Sequence, residues 1–286
     1  MRCLSILCSL VIVAVASRAV AMKPPSGASV GVLDRAGGEL AGPAFLAVRG
    51  PVKLTLRTLS ADVDVSTSNS TMVSARVTGG DGARVRLSEE GGDRVEISFD
   101  DAPTLRNGRL CITLPAHSDV EINSTSGSVV VNGTDGRVRA RTASGDVRVR
   151  RAHSCELGSI SGTVDVRDVG DARVDTVSGD TTIDSVPQLR YSSTSGDLSW
   201  SGRCAAGCRL EARTLSGDVS VRTSANSSFE LRYQTQDGTL DDQLHLDHEV
   251  RPRAERSQRL RGRLGNGEGL VEVQTWHGDL ALARLP

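Results

Sequence analysis

The sequence predicts an all-β protein, and within that class a β-solenoid (β-helix-like) of about 17–21-residue coils with Ser-Gly-Asp turns. Three observations predict it. A Ser-Gly turn, usually followed by Asp, recurs at Gly127, Gly145, Gly162, Gly179, Gly196 and Gly217, with weaker copies at Gly238 and Gly278. Counting each glycine as zero, positions −7 and −5 are apolar in every copy, and +2 and +4 in all but one copy each, where Thr181 and Asp242 stand. Such period-two alternation marks strands with one buried face. Position −3 is Ser or Thr throughout: Ser124, Thr142, Ser159, Thr176, Ser193, Thr214, Thr235 and Thr275. A chain of two-residue hairpins also fits the alternation. The strict −3 position favours stacked coils, in which like positions form columns. Each coil is expected to hold two short strands, paired in parallel with the coils above and below.

Residues 1–21 read as a signal peptide: Arg2, an apolar run from Leu4 to Ala16, and an Ala19-Val20-Ala21 cleavage site. A retained transmembrane helix is not expected, because a spanning helix needs about 20 apolar residues. Leu7, where a small residue is wanted, argues against lipid attachment at Cys8. Export places the protein in an oxidising, extracytoplasmic compartment. Residues 22–43, rich in Pro, Gly, Ala and Ser, read as a flexible lead. Residues 44–119 carry looser alternation and read as irregular N-terminal β coils or a cap, with candidate strands Met72–Thr78, Ala83–Leu87, Arg94–Phe99 and Arg109–Leu114. A first copy of the motif has Ala61 at the glycine position, so a different turn is expected there. Residues 120–286 form the regular solenoid, interrupted by a polar insertion at 241–267.

Composition excludes some function classes. The net charge of −1 gives no reason to expect nucleic acid as a partner. Lys23 and Lys53 are the only lysines, a bias that reads as genomic rather than chemical. Aromatics make up 2% of the chain, which leaves few flat side chains for stacking on sugars or bases. No G-x-S-x-G elbow, H-E-x-x-H or phosphate loop is present, so no catalytic residues, no cofactor and no enzyme activity are expected.

The remaining candidates each have a plain structural reading. Stacked turns would align Asp146, Asp180, Asp197, Asp218 and Asp279 along one edge. A calcium ladder needs six to eight oxygens, whereas Asp and Ser in turns ordinarily bond local backbone. Thr163 and Ser128 interrupt the ladder, so no metal site is assigned. Cys204 and Cys208 flank a widened loop and are the disulfide candidates; Cys155 falls at an inward position, and whether it pairs with Cys111 stays open. His245 and His248 lie in the insertion, together with Arg251, Arg253, Arg256, Arg259, Arg261 and Arg263. A solvated loop is the simpler reading, with a helical segment from Arg253 to Leu260 and docking of an anionic glycan as alternatives.

The residues Thr142–Val147, Thr176–Asp180, Thr194–Leu198, Thr214–Val219 and Thr275–Leu280, repeated in register behind a signal peptide, resemble the adhesin-domain family of bacterial envelope proteins. The resemblance spans residues 45–286 and implies adhesin-like β-helical repeats without catalytic residues. Together these readings predict a non-catalytic secreted or cell-envelope binding module with a repetitive polar surface. Its expected partner is an unknown envelope protein or surface glycan. A passive structural scaffold is the alternative, and a polysaccharide-active β-helix enzyme a weaker one.

Overall fold

The computed structural model describes residues 43–79, 84–100, 106–252 and 258–286. Residues 1–42, on which the expected signal peptide and nearly all of the expected lead fall, and the loop around Pro103 lie outside the described residues. The described chain is all-β and β-solenoid-like. Val129, Val147, Val164, Thr181, Leu198 and Val219 follow one another in parallel register up one sheet column. Val120, Val138, Cys155, Ala172, Leu189 and Leu210 do the same on the other strand of each coil. All of these side chains are buried, so the two inward columns form one continuous aliphatic core. The few aromatics mostly fill it: Trp200 is fully buried and donates its indole N–H to the Val186 carbonyl at 3.0 Å.

Each coil turns twice. One corner is the Ser-Gly turn. In several coils the other is held by a non-glycine residue at positive φ, as at His117, Arg151, Asp168, Ser185 and His245. The residue that follows is tipped inward and buried: Ser118, Ala152, Val169, Val186 and Leu246. A left-handed residue costs roughly 1–2 kcal/mol. Filling the corner of the core with the next side chain offsets that cost.

The coils do not stack entirely in chain order. The strand Lys53–Ser68 lies between Asp119–Ser126 and Val129–Asn132 on one side and Arg94–Asp100 and Arg106–Pro115 on the other. The coil built from 94–115 is therefore outside the one that precedes it. The C-terminal end mirrors this. Gly269–His277 sits between Arg209–Ser216 and Phe229–Thr235, and Leu280–Arg284 between Val219–Thr223 and Leu240–Asp242. The last coil in sequence is thus wedged beneath the one before it. Antiparallel strands cover both outer coils: Met72–Gly79 and Arg84–Glu90 at one end, Gln258–Leu264 and Asp247–Pro252 at the other. They blunt edges that would otherwise be free to pair with another chain. Gln258–Leu260, at the end of the segment considered for helix, is strand; residues 253–257 lie outside the described residues.

Glycine is needed at the Ser-Gly corner because the corners stack almost in contact. A Cβ on Gly145 would lie 2.3 Å from the Gly127 carbonyl oxygen, and one on Gly179 2.2 Å from that of Gly162. The column continues through Gly196 and Gly217 to Gly278 and then Gly238, in spatial rather than sequence order. Ala61 begins the column without strain: its φ is not positive, and the pairing beneath it skips a residue between Ser60 and Asp62. Gly179→Ala is expected to destabilise the protein by about 3 kcal/mol, through the clash and its φ of 114°. Gly158→Ala, whose Cβ would meet only the Arg141 side chain at 3.6 Å, should be near neutral. Urea unfolding of the two variants checks the difference.

Candidate functional site

The motif that repeats in sequence builds one long edge of the molecule, and most of its polar atoms bond to the neighbouring coil. The serine at −1 donates its hydroxyl to the −2 carbonyl of the coil beneath: Ser126 to Leu59 at 3.2 Å, Ser161 to Ala143 at 3.4 Å, Ser178 to Ile160 at 3.2 Å. The aspartate at +1 accepts the +1 backbone N–H of the coil above. Asp146 takes that of Thr163 at 3.1 Å, Asp197 that of Asp218 at 2.8 Å and Asp218 that of Asp279 at 2.8 Å; Asp279 takes that of Thr239 at 2.7 Å. The carboxylates are thus coil-to-coil ties. They do not cap their own turns, which is the bonding their sequence position suggested. Among the described residues no group of three His, Cys, Asp or Glu side chains is placed to hold a metal.

The −3 hydroxyls point inward beneath the turn. Ser124, Thr142 and Ser159 donate to the carbonyl two residues on, at 2.8, 3.1 and 3.1 Å. Those of Thr176 and Thr214 are buried without a hydrogen-bond partner, and nothing in the structure explains them.

The flat sheet faces carry charge that is largely compensated in place. Arg139 and Arg141 meet Glu156 at 2.7 and 3.5 Å, Arg173 meets Asp175 at 2.9 Å, and Arg209 and Arg190 meet Glu211 at 2.5 and 3.3 Å. Hydrogen bonding from Arg139 holds the Glu156 carboxyl below its ordinary 4.5. Burial alone would raise Glu211, but Arg209 and Arg190 outweigh it and hold that carboxyl below 4.5 too. Hydrogen bonds from Thr163 hold Asp146 below 3.8. Asp64 departs the other way, raised by burial against the opposing pull of Arg109.

One row on this edge breaks the polar surface. The exposed large apolar side chains among the described residues are Phe45, Leu59, Met72, Ile160, Val177, Leu215 and Trp276. All but Phe45 and Met72 occupy the −2 position of the motif, on the outward side of the strand. Register places Leu59, Thr125, Ala143, Ile160, Val177, Thr194, Leu215 and Trp276 on successive coils. At ~4.8 Å per coil the row runs roughly 34 Å. Trp276 joins it only because the last coil is wedged beside Leu215. Sequence reasoning followed −3, −5 and −7 and missed this row; its signal was an apolar residue at a position that alternation makes outward.

The other sequence candidates are scattered. Cys204 and Cys208 form a disulfide, Cα–Cα 5.2 Å, at the second corner of their coil. Cys155 is buried, its thiol pushed up to about 12 mainly by burial, and neither it nor Cys111 is disulfide-bonded. His245 holds a positive-φ turn, and Arg259, Arg261 and Arg263 lie on the strand that covers Phe229–Thr235 of the outer coil. A shallow polar cleft of about 490 Å³ opens beside Ser60, Asp62 and Arg109, where Arg109 meets Asp62 at 3.7 Å.

Stacked parallel coils with glycine corners define a solenoid-like repeat domain rather than a pocketed one. The chain belongs to the Toastrack DUF4097 family, whose model matches residues 52–283. No curated protein matches the sequence. The crystal structure of a "putative cell adhesion protein" from Clostridium sporogenes ATCC 15579 is similar at 11% identity and a TM-score of 0.27. The match covers 85% of this chain and 99% of that one.

Asp197→Ala removes the acceptor of the Asp218 N–H and is expected to cost about 1 kcal/mol, whereas Asp197→Asn keeps an acceptor and should cost less than half of that. Glu156, Glu211 and Asp146 have depressed folded values, so the stability they supply is complete above their ordinary 3.8 to 4.5. It is lost as pH falls through the folded values. Urea unfolding of wild type and both variants at pH 7 and pH 3 reads both effects.

Proposed function

We propose that this protein is a non-catalytic, extracytoplasmic binding module that engages its partner along the Ser-Gly-Asp edge. The observation that carries this reading is the row of exposed apolar side chains at −2, from Leu59 to Trp276. Scattered surface apolar residues need no explanation, but aligned ones mark interaction surfaces. A solenoid presents such a row as an extended site without a pocket. The signal peptide expected at residues 1–21 supports an envelope or secreted setting. Recognition by an envelope protein or a surface glycan is compatible with that setting.

A passive envelope scaffold is favoured by a different observation, the internal pairing of charge on the faces, as in the Arg209–Glu211–Arg190 cluster. Such a surface satisfies itself and has little left to offer a partner. The two readings separate in living cells. A photo-crosslinking residue at position 215, on the row, is expected to capture one defined envelope component; the same residue at position 148, on the face beyond the turn, is not. Capture of nothing from 215, or equal capture from both, would leave the scaffold reading.

A further inference from the structure

We infer that the edge docks an amphipathic basic α-helix of a partner protein, lying lengthwise with its apolar row on the −2 side chains and its basic row against the +1 carboxylates. This rests on the reading of that edge as the binding surface and adds the class of partner. Four features lead to it. First, in the C-terminal half the apolar residues Val177, Leu215 and Trp276 are matched, three positions on in each turn, by the exposed Asp180, Asp218 and Asp279, with Asp197 between them. Second, these carboxylates keep charge to spare. Asp197, Asp218 and Asp279 each commit Oδ1 to the coil above, and among the described residues Oδ2 accepts no further bond. Two residues further on stand Thr182, Ser199, Ser220 and Ala281, where the N-terminal half has Arg148 paired to Asp146 at 3.3 Å. Arg213 and His277 are the basic residues that register brings to this half, against four carboxylates.

Third, the shape is linear. The row is roughly 34 Å long, and about 10 Å is the width a single helix covers. That area, on the order of 340 Å², is well short of the ~800 Å² per partner of a standard interface between globular surfaces, so a second copy meeting edge to edge is the poorer fit. Fourth, a helix advances ~5.4 Å per turn, close to the ~4.8 Å spacing of the coils, so one apolar side chain per turn can meet the row over several turns. Adjacent i, i+4 rows on a helix supply the apolar and basic stripes that the two rows of the edge would match.

The chain reports on this edge itself. Its tryptophans are Trp200, fully buried, and Trp276, 55% exposed and on the row. The probe is a synthetic helix-forming peptide of about five turns with a leucine row beside a lysine row. It is titrated into the folded protein at low ionic strength while Trp276 emission and acrylamide quenching are followed. The expected result is a saturable blue shift with reduced quenching, weakened at least tenfold by Leu215→Ser with Val177→Ser. Asp180→Asn, Asp197→Asn and Asp218→Asn together should weaken it to a similar degree. The asparagines keep an acceptor for the coil ladder, and circular dichroism checks that every variant is folded. Raised salt should weaken binding as well.

A lysine-alanine peptide that binds equally would overturn the proposal, as would a glutamate-leucine peptide doing so or a stable dimer that already shields Trp276. A failed titration alongside continued capture from position 215 would discard the helix and keep the binding edge. Failure of both would discard the edge.

Discussion

Everything in this molecule depends on how closely its glycine corners stack. A Cβ at Gly238 would lie 2.0 Å from the carbonyl oxygen of Gly278, and one at Gly217 2.3 Å from that of Gly196. No side chain fits such a gap. Bringing the corners this near puts the Ser hydroxyl within reach of one neighbouring coil and the Asp carboxylate within reach of the other. The corner is therefore a stack of backbone, tied by a serine hydroxyl at some coils and by an aspartate carboxylate at others. The aliphatic core behind it supplies the bulk of the stabilisation, at roughly 25 cal/mol per Å² of apolar surface buried. The corner fixes the register in which that core meets itself.

Fixed register has a functional consequence. Any property of one position becomes a row along the whole molecule. On the faces the rows are Arg and acidic residues whose order lets neighbours neutralise one another, as Glu156 does with Arg139 and Arg141. At −2 the row carries Leu59, Ile160, Val177, Leu215 and Trp276, which are exposed among the described residues. The contrast between a self-satisfied face and an unsatisfied edge directs the functional reading to the edge.

Much of the fold was legible because alternation and a fixed period are local signals. Val147 and Leu210 announce their inward direction by their place relative to a glycine, and both are buried. The stacking order at the ends was not legible. Gly238 and Gly278 carry the same motif, and no local pattern says which one lies against Gly217; long-range pairing of Gly269–His277 with Arg209–Ser216 decides it. The second corner was hidden for another reason. It uses Arg151, Asp168 and Ser185 at positive φ, residue types that give no glycine-like mark. The apolar row was visible only as single residues, since Leu215 and Trp276 are far apart in sequence and become neighbours through the wedged last coil. The disulfide loop at Cys204 and Cys208 was legible from spacing alone because both ends lie within one short loop.

The measurement that tests the account most directly is disulfide formation in paired cysteine variants at position 215. On this account Leu215→Cys with Trp276→Cys crosslinks on mild oxidation, since the two positions are neighbours in register. Leu215→Cys with Gln236→Cys should not, because the coil carrying residue 236 is one layer further away. Efficient crosslinking of 215 to 236, and none to 276, would mean that the coils stack in chain order. It would contradict both the glycine column and the −2 row built on it.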